Sequence, residues 1–205
     1  MNKKYLIIAV GLGLVIVTVM VWYGITAPAK AAARNLVAIT SLSAGETTEA
    51  ELLSRPEFQK IERTCIQESC FYHMEAENTL LNKLHLAPRT VIGTNVTVRD
   101  GLIVAVSVFL FRADRPAVVL SQVQRMPTDC RSMPCVKLLR PPNKVLMNVS
   151  IVFDHQSELR NHLPEAVNTR CLSQLHGCTR YVELVPLVKQ LNLEETSAGE
   201  VKSRE

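Results

Sequence analysis

From Leu6 to Ile25 the chain carries no charged residue. At a rise of about 1.5 Å per helical residue, these roughly 20 positions match the ~30 Å hydrocarbon core of a bilayer. Such a run leaves two readings, a membrane-spanning helix or a secretory signal that is removed. Trp22 and Tyr23 stand near its C-terminal end, where amphipathic rings favour the headgroup interface. Lys3 and Lys4 form a basic segment ahead of it, and Ala27, Ala29, Ala31 and Ala33 offer A-x-A sequences to a peptidase. The run is longer than the ~7–15 residues of a signal core, and Pro28 would follow a cut after Ala27, so retention as an anchor is expected. No cysteine follows closely enough for a lipid-modified N-terminus.

Lys3, Lys4 and the α-amino group precede the run, whereas Lys30 and Arg34 follow it. This small difference favours a cytoplasmic N-terminus and an extracytoplasmic remainder. The cysteines point the same way. Six of them fall into three local couples, Cys65 with Cys70, Cys130 with Cys135, and Cys171 with Cys178, and an even count suits an oxidising compartment. Turn-forming interiors make each couple a candidate disulfide. Five residues apart in a straight strand, two cysteines would be ~16 Å apart on opposite faces, so a bridged segment must bend. Zinc ligation and unpaired thiols are the alternatives. The C-x4-C spacings are loose for zinc, and no C-x-x-C tetrad supports a thioredoxin-like centre.

Beyond the anchor the expected organisation is a linker or stalk over 28–44, one α+β domain over 45–193 and a disordered tail over 194–205. Residues 1–27 form the transmembrane segment in this reading. Thr48 and Glu51 make a T-x-x-E capping box for a short helix stopped by Pro56. A second helix is expected over Asn78 to Leu86, burying Leu80, Leu81 and Leu84. Two β-branched runs flank Asp100-Gly101 between Thr90 and Phe111, which predicts a type I′ hairpin. Ile92, Val96 and Val98 alternate with wetter positions, and Leu102 to Leu110 reads as a central strand with Leu102, Val104, Val106, Val108 and Leu110 on one face. Ala117 to Val123 and Lys144 to Phe153 add strands. Short helices are expected around Glu158 to Leu163 and Val182 to Leu191. The whole predicts an antiparallel sheet of about four strands packed against helices. The order helix, strand, hairpin from Gly45 to Phe111 resembles, in pattern alone, small bacterial envelope modules of the outer-membrane assembly lipoprotein type. The chain lacks their lipid-bearing cysteine, and no membership follows.

Without Lys3 and Lys4 the chain has 21 basic against 19 acidic residues, so bulk charge selects no partner. Eight Glu crowd Glu46 to Glu77 and seven basic residues crowd Arg112 to Lys144. Opposite solvated surfaces explain this; a basic face docking anionic headgroups is the alternative. No G-x-S-x-G, H-E-x-x-H, phosphate loop or dinucleotide fingerprint occurs. Asp154, His155, Glu158 and His162 could share one helical face as metal ligands. They read more simply as an N-cap, an early-turn acid and a late-turn histidine. His176 reads as a loop residue and His73 and His85 as surface residues. Asn95-Val96-Thr97 and Asn148-Val149-Ser150 match a glycosylation sequon but fall in expected strands. Aromatics are 5% of residues, which leaves little material for base stacking, so no nucleic-acid partner is expected.

The sequence therefore assigns no catalytic, cofactor-binding or metal residues. It points to a membrane-tethered domain that binds or scaffolds an envelope protein or an anionic headgroup. The alternative is a thiol- or metal-dependent envelope enzyme built on a cysteine couple or the Asp154–His162 cluster. A domain that acts by oligomerising is the third reading.

Overall fold

A computed structural model describes residues 3–59, 61–112, 117–125, 135–139, 148–154, 157, 160–178, 181–187, 193–195 and 201–203. One helix, α1 (Lys3–Thr40), carries the whole apolar run and continues beyond it for four turns. Within it, an 18-residue window has a mean hydropathy of 2.0, and none of that window is buried. The helix is long and apolar enough to cross a membrane.

The segment expected as a stalk is part of the domain. Ala32, Leu36, Ile39, Leu42 and Ala44 are all buried, and the 4-and-3 spacing of the first three places them on one helical stripe. Alanine explains the discrepancy. It has the best helix propensity and is compatible equally with a solvated rod and a closely packed core, so composition alone did not reveal the contact.

The stripe lies on a seven-stranded sheet of order β1-β2-β3-β4-β5-β7-β6. Its strands are β1 (Glu62–Ile66), β2 (Ser69–Glu77), β3 (Thr90–Arg99), β4 (Leu102–Arg112), β5 (Val118–Val123), β6 (Cys135–Leu139) and β7 (Asn148–Asp154). The sheet is larger than the four strands expected and is mixed, because β5 and β7 run parallel while every other neighbouring pair is antiparallel. Edge position hid β1, which is exposed along its whole length and so has no apolar alternation to read. In β2, Phe71 stands among the outward positions that His73 and Glu75 continue, so Cys70, Phe71 and Tyr72 read as an unbroken apolar run.

The hairpin forms where Asp100 and Gly101 take φ of 52° and 73°, as a type I′ turn requires. Ile92, Val96 and Val98 point into the core. In β4 a register shift opposite Thr97 and Val98 inserts one extra residue, so Ile103, rather than Leu102 and Val104, faces inward ahead of Val106, Val108 and Leu110. Such a bulge reverses the alternation on one side of it only.

Helix α2 (Glu49–Ser54) has its full capping box: the Thr48 N–H donates to Glu51 Oε2 at 2.7 Å, and the Glu51 N–H donates to Thr48 Oγ1 at 3.2 Å. The bonds that Glu51 Oε2 accepts, from the Thr48 N–H and then from the Thr48 hydroxyl at 3.0 Å, lower the pKa of its carboxyl. Helix α3 (Thr79–Lys83) is shorter than expected and buries Leu81 alone of its leucine stripe. Leu84 is exposed, and His85 at φ 57° ends the helix. Farther on come α4 (Leu163–Ala166), a 3-10 turn (Thr169–Leu172) and α5 (Tyr181–Leu184). The tail expected to be disordered holds a small ribbon, β8 (Leu193–Glu195) with β9 (Val201–Ser203). Its register sets Glu194 opposite Lys202.

Helix α1 runs along the sheet from end to end. At one end, Leu80 of α3 lies where a Cβ on Gly24 would be 2.9 Å from its Cδ2. At the other, the chain leaving α1 bonds to the hairpin: the Gly45 N–H donates to the Ile103 carbonyl at 2.6 Å and the Glu49 N–H to the Gly101 carbonyl at 2.9 Å. The crossover 78–89 is therefore the membrane-proximal end of the domain if α1 spans the bilayer, and the Asp100-Gly101 turn is the distal end.

Candidate functional site

Among the described residues, the helices gather on the face of the sheet that α1 covers. The other face carries the second set of strand side chains. Registers align them in rows across β2, β3, β4 and β5. One row is His73, Asn95, Ser107 and Ser121; the next is Glu75, Gly93, Phe109 and Val119; a third is Phe71, Thr97, Ala105 and Val123.

The centre of this face is built around a missing side chain. A Cβ on Gly93 would lie 1.9 Å from Phe109 Cζ, so glycine is what lets the Phe109 ring cross β3 and reach β2. There it stacks on His73, with ring centroids 5.1 Å apart and planes within 5°. His73 Nε2 is also 2.7 Å from Glu75 Oε1. These residues are two apart in a strand and so share a face. The sequence reading treated His73 as a bare surface residue; the H-x-E spacing was the available signal, whereas the Phe109 contact needs the register. Beside this group the Ser107 and Ser121 hydroxyls are 3.0 Å apart, and Asn95 Oδ1 is buried with no hydrogen-bond partner among the described residues.

The row of histidine, asparagine and serines does not make a nucleophilic triad. His73 and Ser107 are separated by two strand spacings, about 9.6 Å, and a general base must come within ~3.2 Å of its nucleophile. What the face offers is a π-stacked imidazole, a carboxylate, an amide and two hydroxyls between phenylalanines. That set suits hydrogen bonding and apolar contact with a bound surface.

On the α1 side, Tyr72 donates to Glu49 Oε1 at 2.5 Å, and Arg63 Nη2 is 2.8 Å from the same oxygen. Burial, then the bond and the charge of Glu49, push the Tyr72 hydroxyl up to about 12. This clasp ties β1 and β2 to α2. Next to it Cys65 and Cys70 are paired across the strands as a disulfide, with Cα atoms 4.1 Å apart. The bend that such a bridge requires is the Gln67-Glu68 turn, with Gln67 at φ 54°. Cys171 and Cys178 form a second disulfide, Cα to Cα 5.1 Å. Cys135 is also disulfide-bonded; Cys130 lies outside the described residues.

The Asp154–His162 group does not share a helical face. Asp154 is the last residue of β7 rather than a helix cap, and His162 precedes α4, 3.3 Å from Glu165. His155 and Glu158 lie outside the described residues, among which no group of three metal-ligating side chains converges. His176 and His85 are exposed loop residues at φ 68° and 57°. Asn95 is half-buried within β3, a poor acceptor position; the side chain of Asn148 lies outside the described residues.

Compared with protein-family models, curated proteins and solved structures, the chain finds no match.

Proposed function

We propose that the chain is a membrane-tethered extracytoplasmic module, its N-terminus cytoplasmic, that binds or scaffolds another envelope component through the sheet face that no described helix covers. The observation that carries this reading is the one-sided coverage: α1 and the shorter described helices share one face, while the other presents Phe71, His73, Phe109 and Ser107 in adjoining rows. The disulfides support an oxidising destination, and with α1 as the anchor they support the domain's placement outside the cytoplasm. Rigid strands hold the face in one shape, which lowers the entropic cost of binding.

The test is site-specific photocrosslinking in native membranes. A crosslinker at Phe109 or Phe71 is expected to give discrete adducts, and one at Val37, an exposed position on α1, is expected to give none. Equal labelling from all three positions would remove the sheet face as the binding surface.

A further inference from the structure

From Val10 to Tyr23 the side chains of α1 are exposed, and from Gly24 onward the helix meets the domain, while the uncharged run ends at Ile25. No spacer separates the bilayer-length segment from the fold. The 78–89 crossover, which protrudes past the end of β2 and the start of β3, is held against α1 at that level by Leu80. On it Leu84 and Leu86 are 51% and 39% exposed, and Leu175 on the adjoining loop is 62% exposed. The two loops are tied together by the His176 N–H donating to the Leu86 carbonyl at 2.8 Å. Three of the exposed large apolar side chains outside the anchor thus stand on one rim.

Cations accompany them. Lys30 Nζ lies 5.4 Å from the centroid of the Trp22 ring, the arrangement of a lysine snorkelling beside an interfacial indole. A cleft of about 500 Å³ opens between α1 and α3, floored by Gly24, Ala27 and Ala31, with Lys83 and Arg34 among its lining residues. Glu77, which also lines it, is paired with Arg89 at 3.0 Å, and the Glu75 carboxylate turns to the opposite sheet face, where it meets His73.

We infer that this rim seats in the headgroup layer of the bilayer that α1 crosses, with Leu84, Leu86 and Leu175 inserted beside the glycerol region and Lys83 and Arg34 meeting lipid phosphates. The occupant follows from position: a patch flush with the end of a membrane-length helix faces lipid, and leucines flanked by cations match an anionic interface. The inference rests on α1 being the anchor and is independent of what the sheet face binds.

The experiment uses the full chain in lipid nanodiscs, with Trp22→Phe as background and single indoles introduced by Val15→Trp, Leu86→Trp, Leu175→Trp or Ile66→Trp. Lipids brominated near the chain terminus are expected to quench the indole at 15. Lipids brominated near the glycerol are expected to quench those at 86 and 175 several-fold more than that at 66, on the distal turn. Quenching at 86 and 175 should rise with the anionic lipid fraction, and Lys83→Glu should remove most of that rise.

Quenching at 15 with none above the level of 66 at 86 and 175 overturns the inference and leaves the anchor standing. No quenching at 15 overturns the anchor and this inference with it. Shielding at 86 that follows the number of chains per disc rather than the lipid label assigns the rim to a second copy and also overturns it. Insensitivity to anionic lipid overturns the role of Lys83 and Arg34.

Discussion

The two halves of α1 are the same helix in different surroundings. From Leu6 to Tyr23 it is uncharged all round, with the β-branched Val15, Ile16, Val17, Thr18 and Val19 in succession. β-Branched residues are mediocre helix formers in water, but in hydrocarbon the backbone must satisfy its own polar groups, so lipid enforces the helix whatever the side chains. After Gly24 the composition turns to alanine, and the stripe of Ala32, Leu36 and Ile39 is buried, with Lys30, Arg34 and Val37 exposed off it. There intrinsic propensity and one packed face do the work. Where the bilayer ends is thus written in how many faces are apolar, not in where the helix stops.

The comparison breaks most decisively at Leu36, which is fully buried. Leu36→Asp strands a carboxylate in the core and is expected to cost about 3–5 kcal/mol, measured as loss of the cooperative melting transition in detergent. Val15→Asp should leave that transition within about 0.5 kcal/mol and act instead on membrane retention, since Asp at the centre of a span costs about 2.5–3.5 kcal/mol. Similar melting shifts would show that both halves are held by the same contacts. The sheet gives the complementary measurement. Val106 is buried in the core and Thr97 lies on the opposite face, so Val106→Asp should cost about 3 kcal/mol and Thr97→Asp under about 0.5 kcal/mol. The reverse order would put α1 on the wrong face.

Replacing Cys65 and Cys70 by alanine should lower domain stability by about 2 kcal/mol, the value for closing a short loop. The same pair tests which side of the membrane the second half of α1 occupies: alkylation in intact cells is expected only after a reductant is added, and ready alkylation without one would place the domain in a reducing compartment. The smallest effect is expected at the boundary itself. Gly24→Ala adds a methyl that presses on Leu80 Cδ2, the mobile end of a side chain, while the helix gains about 0.5–1 kcal/mol from losing a glycine. The net change in melting should stay within about 0.5 kcal/mol, and a larger loss would mean that the α1–α3 contact is rigid.

Local chemistry made part of this architecture legible. The Asp100-Gly101 turn, the Thr48 capping box, the alternation of Ile92, Val96 and Val98 and the length of the anchor each depend on neighbours within a few residues. The cysteine spacing stated its own condition, a bend between Cys65 and Cys70, and the turn at Gln67 meets it. The rest depends on partners distant in the chain. The β4 bulge is a matter of register, β1 and β2 are strands by virtue of whom they pair with, and Phe109 reaches His73 only because Gly93 lies between them in space. Leu84 looked like core from its spacing, and its exposure follows from the early end of α3 at His85.

The burial of Ala32, Leu36 and Ile39 has a consequence for how this domain leaves a membrane. Proteins on a flexible tether can be shed by a single proteolytic cut, releasing an intact ectodomain. Here a protease cutting just before Gly45 would leave the domain's central helix behind with the anchor and expose the core face of the sheet, where α1 packs on β2 and β3. The release product would be an opened sheet, prone to aggregation, and any soluble form that keeps the fold has to begin no later than the turn containing Ala32.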